Sequence, residues 1–198
     1  GLDRKIELVN YLGTTASLQS GQKGRQIRIN INNPATEKTY LKVANDGTYF
    51  SEMGERILVG GWMIPTTYSV GNTYCPILNT RYGPGQPIFY LSLFSGRPRI
   101  MLYNASGSLI LDQTTTPPFS LINGGVYFIC MVIEPNNKNA WIVLGDKTNE
   151  ISWVSPTYSF TGSLNPSCTA DIIMGMHADA YWYAGRFDDW FFDMDSSL

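Results

Sequence analysis

The densest group of reactive side chains lies near the end of the chain, in Ala184-Gly185-Arg186-Phe187-Asp188-Asp189-Trp190-Phe191-Phe192-Asp193-Met194. Carboxylates this close suggest two chemistries: an acid–base pair for hydrolysis, or hard oxygen ligands for a cation. Read as a strand, the segment puts Asp188, Trp190, Phe192 and Met194 on one face. Phe187, Asp189, Phe191 and Asp193 take the other. A carboxylate then heads an apolar row that must face a core. Burying it is costly unless a metal, a cation or several N–H groups compensate. Asp189 and Asp193 share a face but stand about 13 Å apart on an extended chain. That is too far for a hydrolytic pair, which needs roughly 5–5.5 Å for retention and about 6.5–9.5 Å for inversion. Asp193 and Asp195 are nearer, but at the end of the chain.

Other catalytic patterns are missing as well. The sequence has no Glu-x-Asp-x-x-Glu, no Ser or Cys nucleophile in a recognisable setting, and no Gly-rich phosphate loop opening a helix. His177 is the single histidine and no Cys-x-x-Cys occurs, so a zinc site is not expected. The expectation is a protein that is not an enzyme.

Binding chemistry is better represented. In His177-Ala178-Asp179-Ala180-Tyr181-Trp182-Tyr183, three adjacent aromatics cannot all enter one core if they lie on a strand. An exposed ring beside a carboxylate suits a saccharide: the ring meets the apolar C–H face of a pyranose, and Asp179 accepts its hydroxyls. An aromatic hairpin packed on its own sheet is the alternative, and His177 fits a structural hydrogen bond equally well. Two more polar loops, Thr66 to Tyr74 with Tyr68 and Arg81 to Gln86 with Tyr82, flank the short strand Cys75 to Thr80. They fall at opposite ends of that strand, so one alone can share a rim with the 177–183 loop. Their composition is that of an adaptable recognition surface and also of ordinary loops.

The framework that must position these loops is all β. The 198 residues are 43% hydrophobic, 13% aromatic and only 15% charged, with 19 glycines, which suits short strands and tight turns. Strands are expected over 5–9, 26–31, 39–43, 56–63, 88–94, 99–103, 109–112, 126–134, 140–144, 151–154 and 169–175, before the closing strand. Phe89, Leu91 and Leu93 share a face, and 126–134 is apolar on both faces, as a central strand should be. Trp62 and Trp141 lie inside strands and are expected in the core. Such a series without helices argues an antiparallel two-sheet β-sandwich, with residues 1–198 as a single domain. No signal-peptide pattern opens the sequence, and a start at Gly1 fits a fragment excised from a longer polypeptide. A net charge of −2 without a basic run argues against nucleic acid, and the longest apolar stretch, 126–133, is too short for membrane insertion as a helix. Cys75, Cys130 and Cys168 are an odd set, best read as reduced thiols, with Cys130 buried; a Cys75–Cys168 bridge is the other option.

The closing pattern Gly-x-apolar-Asp-acidic-apolar-x-apolar resembles the last strand of laminin-G-like, pentraxin-like and concanavalin-type jelly rolls. Gly60-Gly61-Trp62-Met63-Ile64-Pro65 is similar to an early strand of laminin-G-like domains. The pair of segments 124–134 and 140–146 resembles their central hairpin, although Val126-Tyr127 and Leu144-Gly145-Asp146 depart from the usual signatures. The likeness covers roughly residues 56–195. It implies a jelly roll and a non-catalytic carbohydrate-binding role, with Tyr181, Trp182, Asp179, His177, Tyr82, Arg81 and Tyr68 as contacts. It also implies a structural Ca²⁺ on Asp188, completed by Asp3, Asp46 or Asn45, while a turn-capping role for Asp188 stays open. No other cofactor is expected. The style of the sequence is similar to surface modules of bacteria and to tail or baseplate proteins of phages infecting Gram-positive hosts. A cell-surface saccharide and other tail or surface-protein subunits are the partners this implies, in a virion or a secreted or cell-surface location. A protein-binding or assembly module of laminin-G type is the competing expectation, and a glycoside hydrolase a third.

Overall fold

The computed structural model describes residues 6–11, 16–20, 25–29, 38–43, 50, 54–66, 71, 73–80, 88–177 and 181–193, and for 6–11, 16–20, 25–29, 38–39, 176–177 and 181–182 it describes the backbone. Seventeen strands follow one another: β1 (Ile6–Tyr11), β2 (Ala16–Ser20), β3 (Arg25–Ile29), β4 (Lys38–Val43), β5 (Ile57–Pro65), β6 (Cys75–Asn79), β7 (Phe89–Phe94), β8 (Arg97–Tyr103) and β9 (Leu109–Thr114), then β10 (Tyr127–Glu134), β11 (Asn139–Asp146), β12 (Ile151–Val154), β13 (Tyr158–Ser159), β14 (Ile172–Met174), β15 (Met176–His177), β16 (Tyr181–Trp182) and β17 (Gly185–Asp193). A seven-stranded sheet runs β1-β4-β14-β6-β7-β8-β9 and an eight-stranded sheet β12-β11-β10-β5-β17-β3-β2, with β13 pairing β11. The described strands pair antiparallel throughout both sheets, so the molecule is the β-sandwich that the sequence implies.

Period-two alternation accounts for the layers. Phe89, Leu91 and Leu93 of β7, with Ile100 and Leu102 of β8, turn inward from the seven-stranded sheet and are fully buried. Val59 and Met63 of β5, Ile129, Met131 and Ile133 of β10, and Ile142 and Leu144 of β11 meet them from the other sheet. Each such side chain contributes about 1.5–3 kcal/mol on burial. β10 lies between β11 and β5, the central place that its two apolar faces require. Turn chemistry fixes the register. Ser95 and Gly96 both have positive φ (49° and 73°), as a two-residue turn between β7 and β8 demands. Asp146 closes the β11–β12 turn, its carboxylate accepting from Thr148 N–H (2.9 Å), Asn149 N–H (3.1 Å) and the Asn149 amide (2.7 Å). Asn104 caps the β8–β9 turn by accepting from Ser106 and Ser108 N–H at 3.1 and 2.9 Å.

Simple alternation fails in β17. Asp188 pairs with Trp62 and Phe191 with Gly60, so Asp189 and Trp190 together face Gly61. Asp189 takes a left-handed backbone, φ 47°, which costs a non-glycine residue about 1 kcal/mol or more. The bulge reverses which side chains point inward. Before it Phe187 enters the core; after it Phe192 does, stacking on Phe89 at 5.8 Å. The expected face that grouped Asp188 with Trp190 and Phe192 is therefore divided. Asp188 shares the outer face with Trp62, and Asp189 and Asp193 are spared the interior that unbroken alternation would have given them. Trp62 and Trp141 are likewise corrected: both stand half-buried on the outer face, next in register to Phe128 and Val132.

Gly61 makes the bulge feasible. A Cβ there would lie 2.6 Å from the Trp190 ring and 2.8 Å from its Cα, whereas at Gly145 the nearest atom is 3.5 Å away. Gly61→Ala should destabilise the protein by about 1–3 kcal/mol, and Gly145→Ala by much less; the two melting temperatures decide it. The three cysteines are buried and none is in a disulfide. Burial pushes the Cys130 thiol up to about 11. A thiol-specific reagent at pH 8 should react slowly with the native protein, yet find three thiols after denaturation without reductant. The unfolded thiol ionises near about 8.5 while the native one holds its proton to about 11, so this contribution to stability is complete below the first value and is lost as pH rises through the second.

Candidate functional site

One end of the sandwich gathers several of the candidate residues. β5 ends there at Pro65, opposite Gly185 of β17; β10 begins there at Tyr127, opposite Asp146 of β11; and β6 begins there at Cys75, opposite Leu93 of β7. The segment from Thr115 to Val126 crosses between the sheets at the same end. Its course is held by Thr115 N–H on Pro98 O (2.9 Å) and Gly124 N–H on Pro65 O (2.9 Å). The Tyr127 hydroxyl accepts from Ile122 N–H at 2.9 Å, and Phe119 stacks on the Tyr127 ring at 6.4 Å. Burial raises the Tyr127 phenol above its ordinary value, opposed by that hydrogen bond. Ile122 itself is 60% exposed at the rim.

The expected 177–183 loop is a hairpin. β15 and β16 pair as Met176–Trp182 and His177–Tyr181, forming a two-stranded ribbon outside both main sheets. Its root is fixed by Gly175 N–H on Ile77 O (2.9 Å), Tyr183 N–H on Gly175 O (2.9 Å) and Thr66 N–H on Ala184 O (3.0 Å). Of the adjacent aromatics, Tyr183 is the one shown to enter the core, fully buried and stacked on Phe187 at 4.4 Å. Burial pushes its phenol well above the ordinary range. His177, Tyr181 and Trp182 thus sit together on the ribbon, while Asp179 lies outside the described residues.

Tyr68, Arg81 and Tyr82 also lie outside the described residues. The neighbours of Tyr68, Thr66 and Thr73, are at the hairpin end, with Ser95 N–H donating to Thr73 O at 3.0 Å. Thr80 and Ile88, which flank the segment with Arg81 and Tyr82, are at the far end of the β6–β7 pair, where the Thr80 hydroxyl accepts from Ile88 N–H at 2.8 Å. Asp3 and Asp46 are outside the described residues too. The nearest described positions, Ile6 and Val43, are register partners in the seven-stranded sheet, whereas Asp188 is on the outer face of the other sheet and 9% exposed. No cluster of three or more His, Cys, Asp or Glu suited to a metal occurs among the described residues.

Arg99 was not singled out in the sequence, yet it organises the best-defined polar cluster of the rim. It projects from the outer face of β8 and forms a two-pronged pair with Asp112 of β9, Nε on Oδ1 at 2.7 Å and Nη2 on Oδ2 at 2.6 Å. Its guanidinium carbon lies 4.9 Å from the Phe94 ring and 5.9 Å from that of Tyr74. The Asp112 hydrogen bonds raise the Arg99 pKa further, so it is always cationic. A guanidinium has five N–H donors, so three remain without a partner among the described residues. The arrangement holds donors, carboxylate acceptors and two aromatic rings within one patch. The expected strands 88–94, 99–103 and 109–112 correspond to β7, β8 and β9 here; the pairing of Arg99 with Asp112 depends on β9 register, which no local pattern reveals.

No protein-family model matches the sequence, and neither does any curated protein. Solved structures do resemble the fold. The binding domain of botulinum neurotoxin DC in complex with rat synaptotagmin II superposes with a TM-score of 0.72 at 10% identity, covering 100% of this chain and 45% of that one. The same toxin's binding domain in complex with SialylT gives 0.66 at 9% identity, covering 98% and 44%. The receptor-binding domain of the C/D mosaic serotype gives 0.66 at 10%, covering 100% and 45%. The chain thus spans less than half the length of these structures, and at such identity the likeness is one of fold: an all-β sandwich shared with one part of toxin receptor-binding domains.

Proposed function

We propose that this is a non-catalytic recognition module that binds carbohydrate at the hairpin end of the sandwich. The Arg99–Asp112 pair between the rings of Tyr74 and Phe94 carries the reading. A pyranose offers hydroxyls that both donate and accept, together with an apolar C–H face; the cluster supplies N–H donors, carboxylate oxygens and ring faces without reorganisation. The β15–β16 ribbon, with His177, Tyr181 and Trp182, rises from the same end and extends the surface. Neighbouring folds found in complex with SialylT and with a protein receptor support a binding role, not a catalytic one. The setting we favour is recognition of a cell-surface polysaccharide, in phage adsorption or bacterial surface attachment, beside other subunits of a tail or surface structure. A single shallow site of this kind binds weakly, and repeated copies would supply avidity.

A protein ligand is the second reading. It is favoured by Ile122, 60% exposed at the rim, and by the neighbour bound to synaptotagmin.

Tryptophan fluorescence titrations with cell-wall polysaccharides and simple sugars test the proposal on wild type, Arg99→Ala and Trp182→Ala. Losing charge-assisted hydrogen bonds should weaken binding by about 10-fold or more in Arg99→Ala, with the sugar recovered intact. Unchanged affinity in both variants removes the site from this end. Saccharide cleavage overturns the non-catalytic assignment.

A further inference from the structure

The eight-stranded sheet ends on β12, whose outer edge has no strand beside it among the described residues. Ser155 N–H donates to Ile142 O at 2.9 Å, on the β11 side. In an antiparallel ladder successive residues turn their backbone groups to opposite sides. Ile151 and Trp153, in register with Asp146 and Leu144, therefore bond to β11. Ser152 and Val154 present their N–H and C=O groups to the open edge.

Such an edge is a template for another strand unless charge, proline or a bulge blunts it. β12 is Ile-Ser-Trp-Val, and no Lys, Arg, Asp or Glu occurs from 151 to 170. Val154 is 57% exposed and Ile151 42%, so the edge is apolar as well as unpaired. The blunting begins just beyond it. Val154 pairs with Val143 but Tyr158 with Ala140, which leaves one extra residue in the stretch that contains Pro156. Pairing along this edge is thereby confined to β12 itself.

We infer that β12 is a self-association edge, which pairs antiparallel with β12 of a second copy about a two-fold axis at Trp153. That register sets Ser152 against Val154 of the second copy, and Val154 against Ser152 of the second copy. Both outward N–H and both outward C=O groups of each strand then find partners at once. The two Val154 side chains lie diagonally across the seam, where each covers part of the other. Glu150 falls opposite Pro156, so no like charges meet. A second copy is thus the occupant whose length, register and charge all match this edge. The contact is isologous and closes at two copies, and its small size makes the dimer weak and transient. Antiparallel pairing turns the two hairpin ends in opposite directions. On the carbohydrate reading above, such a dimer links two saccharide-bearing surfaces; the association itself does not depend on that reading.

Sedimentation equilibrium without saccharide, on wild type, Ser152→Pro and Val154→Lys, tests the edge. Ser152→Pro removes an outward N–H and no bond to β11, and Val154→Lys sets two cations against each other at the seam. Melting temperatures of dilute samples establish that both variants fold. The wild type should show a monomer–dimer equilibrium, weakened by about 10-fold or more in each variant. Amide exchange followed by NMR gives a readout on the unaltered chain. The Ser152 and Val154 amides should gain protection as wild-type concentration rises, while the Trp153 amide is protected at every concentration. A wild type that stays monomeric up to millimolar concentration overturns the inference. A dimer that survives both substitutions overturns it too, by placing the interface elsewhere. Protection of Ser152 and Val154 that comes only with an added uncharged, extended peptide makes β12 a peptide-binding edge and overturns self-association.

Discussion

The closing strand can lie against β5 because Gly61 has no side chain. Trp190 occupies the space above that glycine, with its indole N–H donating to Trp62 O at 2.9 Å and its ring edge against Phe187 at 5.5 Å. This one contact decides the register of β17 beyond the bulge, and the register decides which carboxylates and rings see solvent. Asp189 accepts an unfavourable backbone conformation, a cost smaller than that of two unpaired carboxylates in the core. The central position of β5, between β10 and β17, carries the consequence across the sheet.

Much of the framework was legible in the sequence because it follows from local rules. Alternation located β7, and a run apolar on both faces marked β10 as a central strand. The first error was to extend alternation through β17. A bulge needs a partner glycine on another strand, and nothing near Asp189 points to Gly61, well over a hundred residues earlier. Trp62 and Trp141 were assigned to the core for a related reason: size suggests burial, while side is set by pairing. The short β2, β13 and the β15–β16 pair exist by virtue of neighbours supplied in three dimensions, and their own sequences say little.

The candidate site was legible in part. Crowded aromatics at 181–183 marked the ribbon, and steric alternation required that they separate; Tyr183 in the core is one half of that separation. The opposition of the two polar loops about β6 also followed from strand length alone, and the positions flanking them lie at opposite ends. Arg99 escaped notice because a lone arginine in a strand looks like any solvated charge. Its significance comes from β9, β7 and the residue just before β6, which deliver Asp112, Phe94 and Tyr74 to the same few ångströms.

The ribbon at the rim is joined to the sandwich through a small root: backbone bonds at Gly175, Tyr183 and Thr66, and one tyrosine driven into the core. Between those anchors, its two strands pair with each other outside both main sheets. Such a construction divides the inheritance of the chain into two parts. The framework drifts slowly under the demands of register and glycine placement, while the ribbon is open to replacement, lengthening or exchange in a single event. A chain built this way can vary its ribbon while its sheets keep the same architecture.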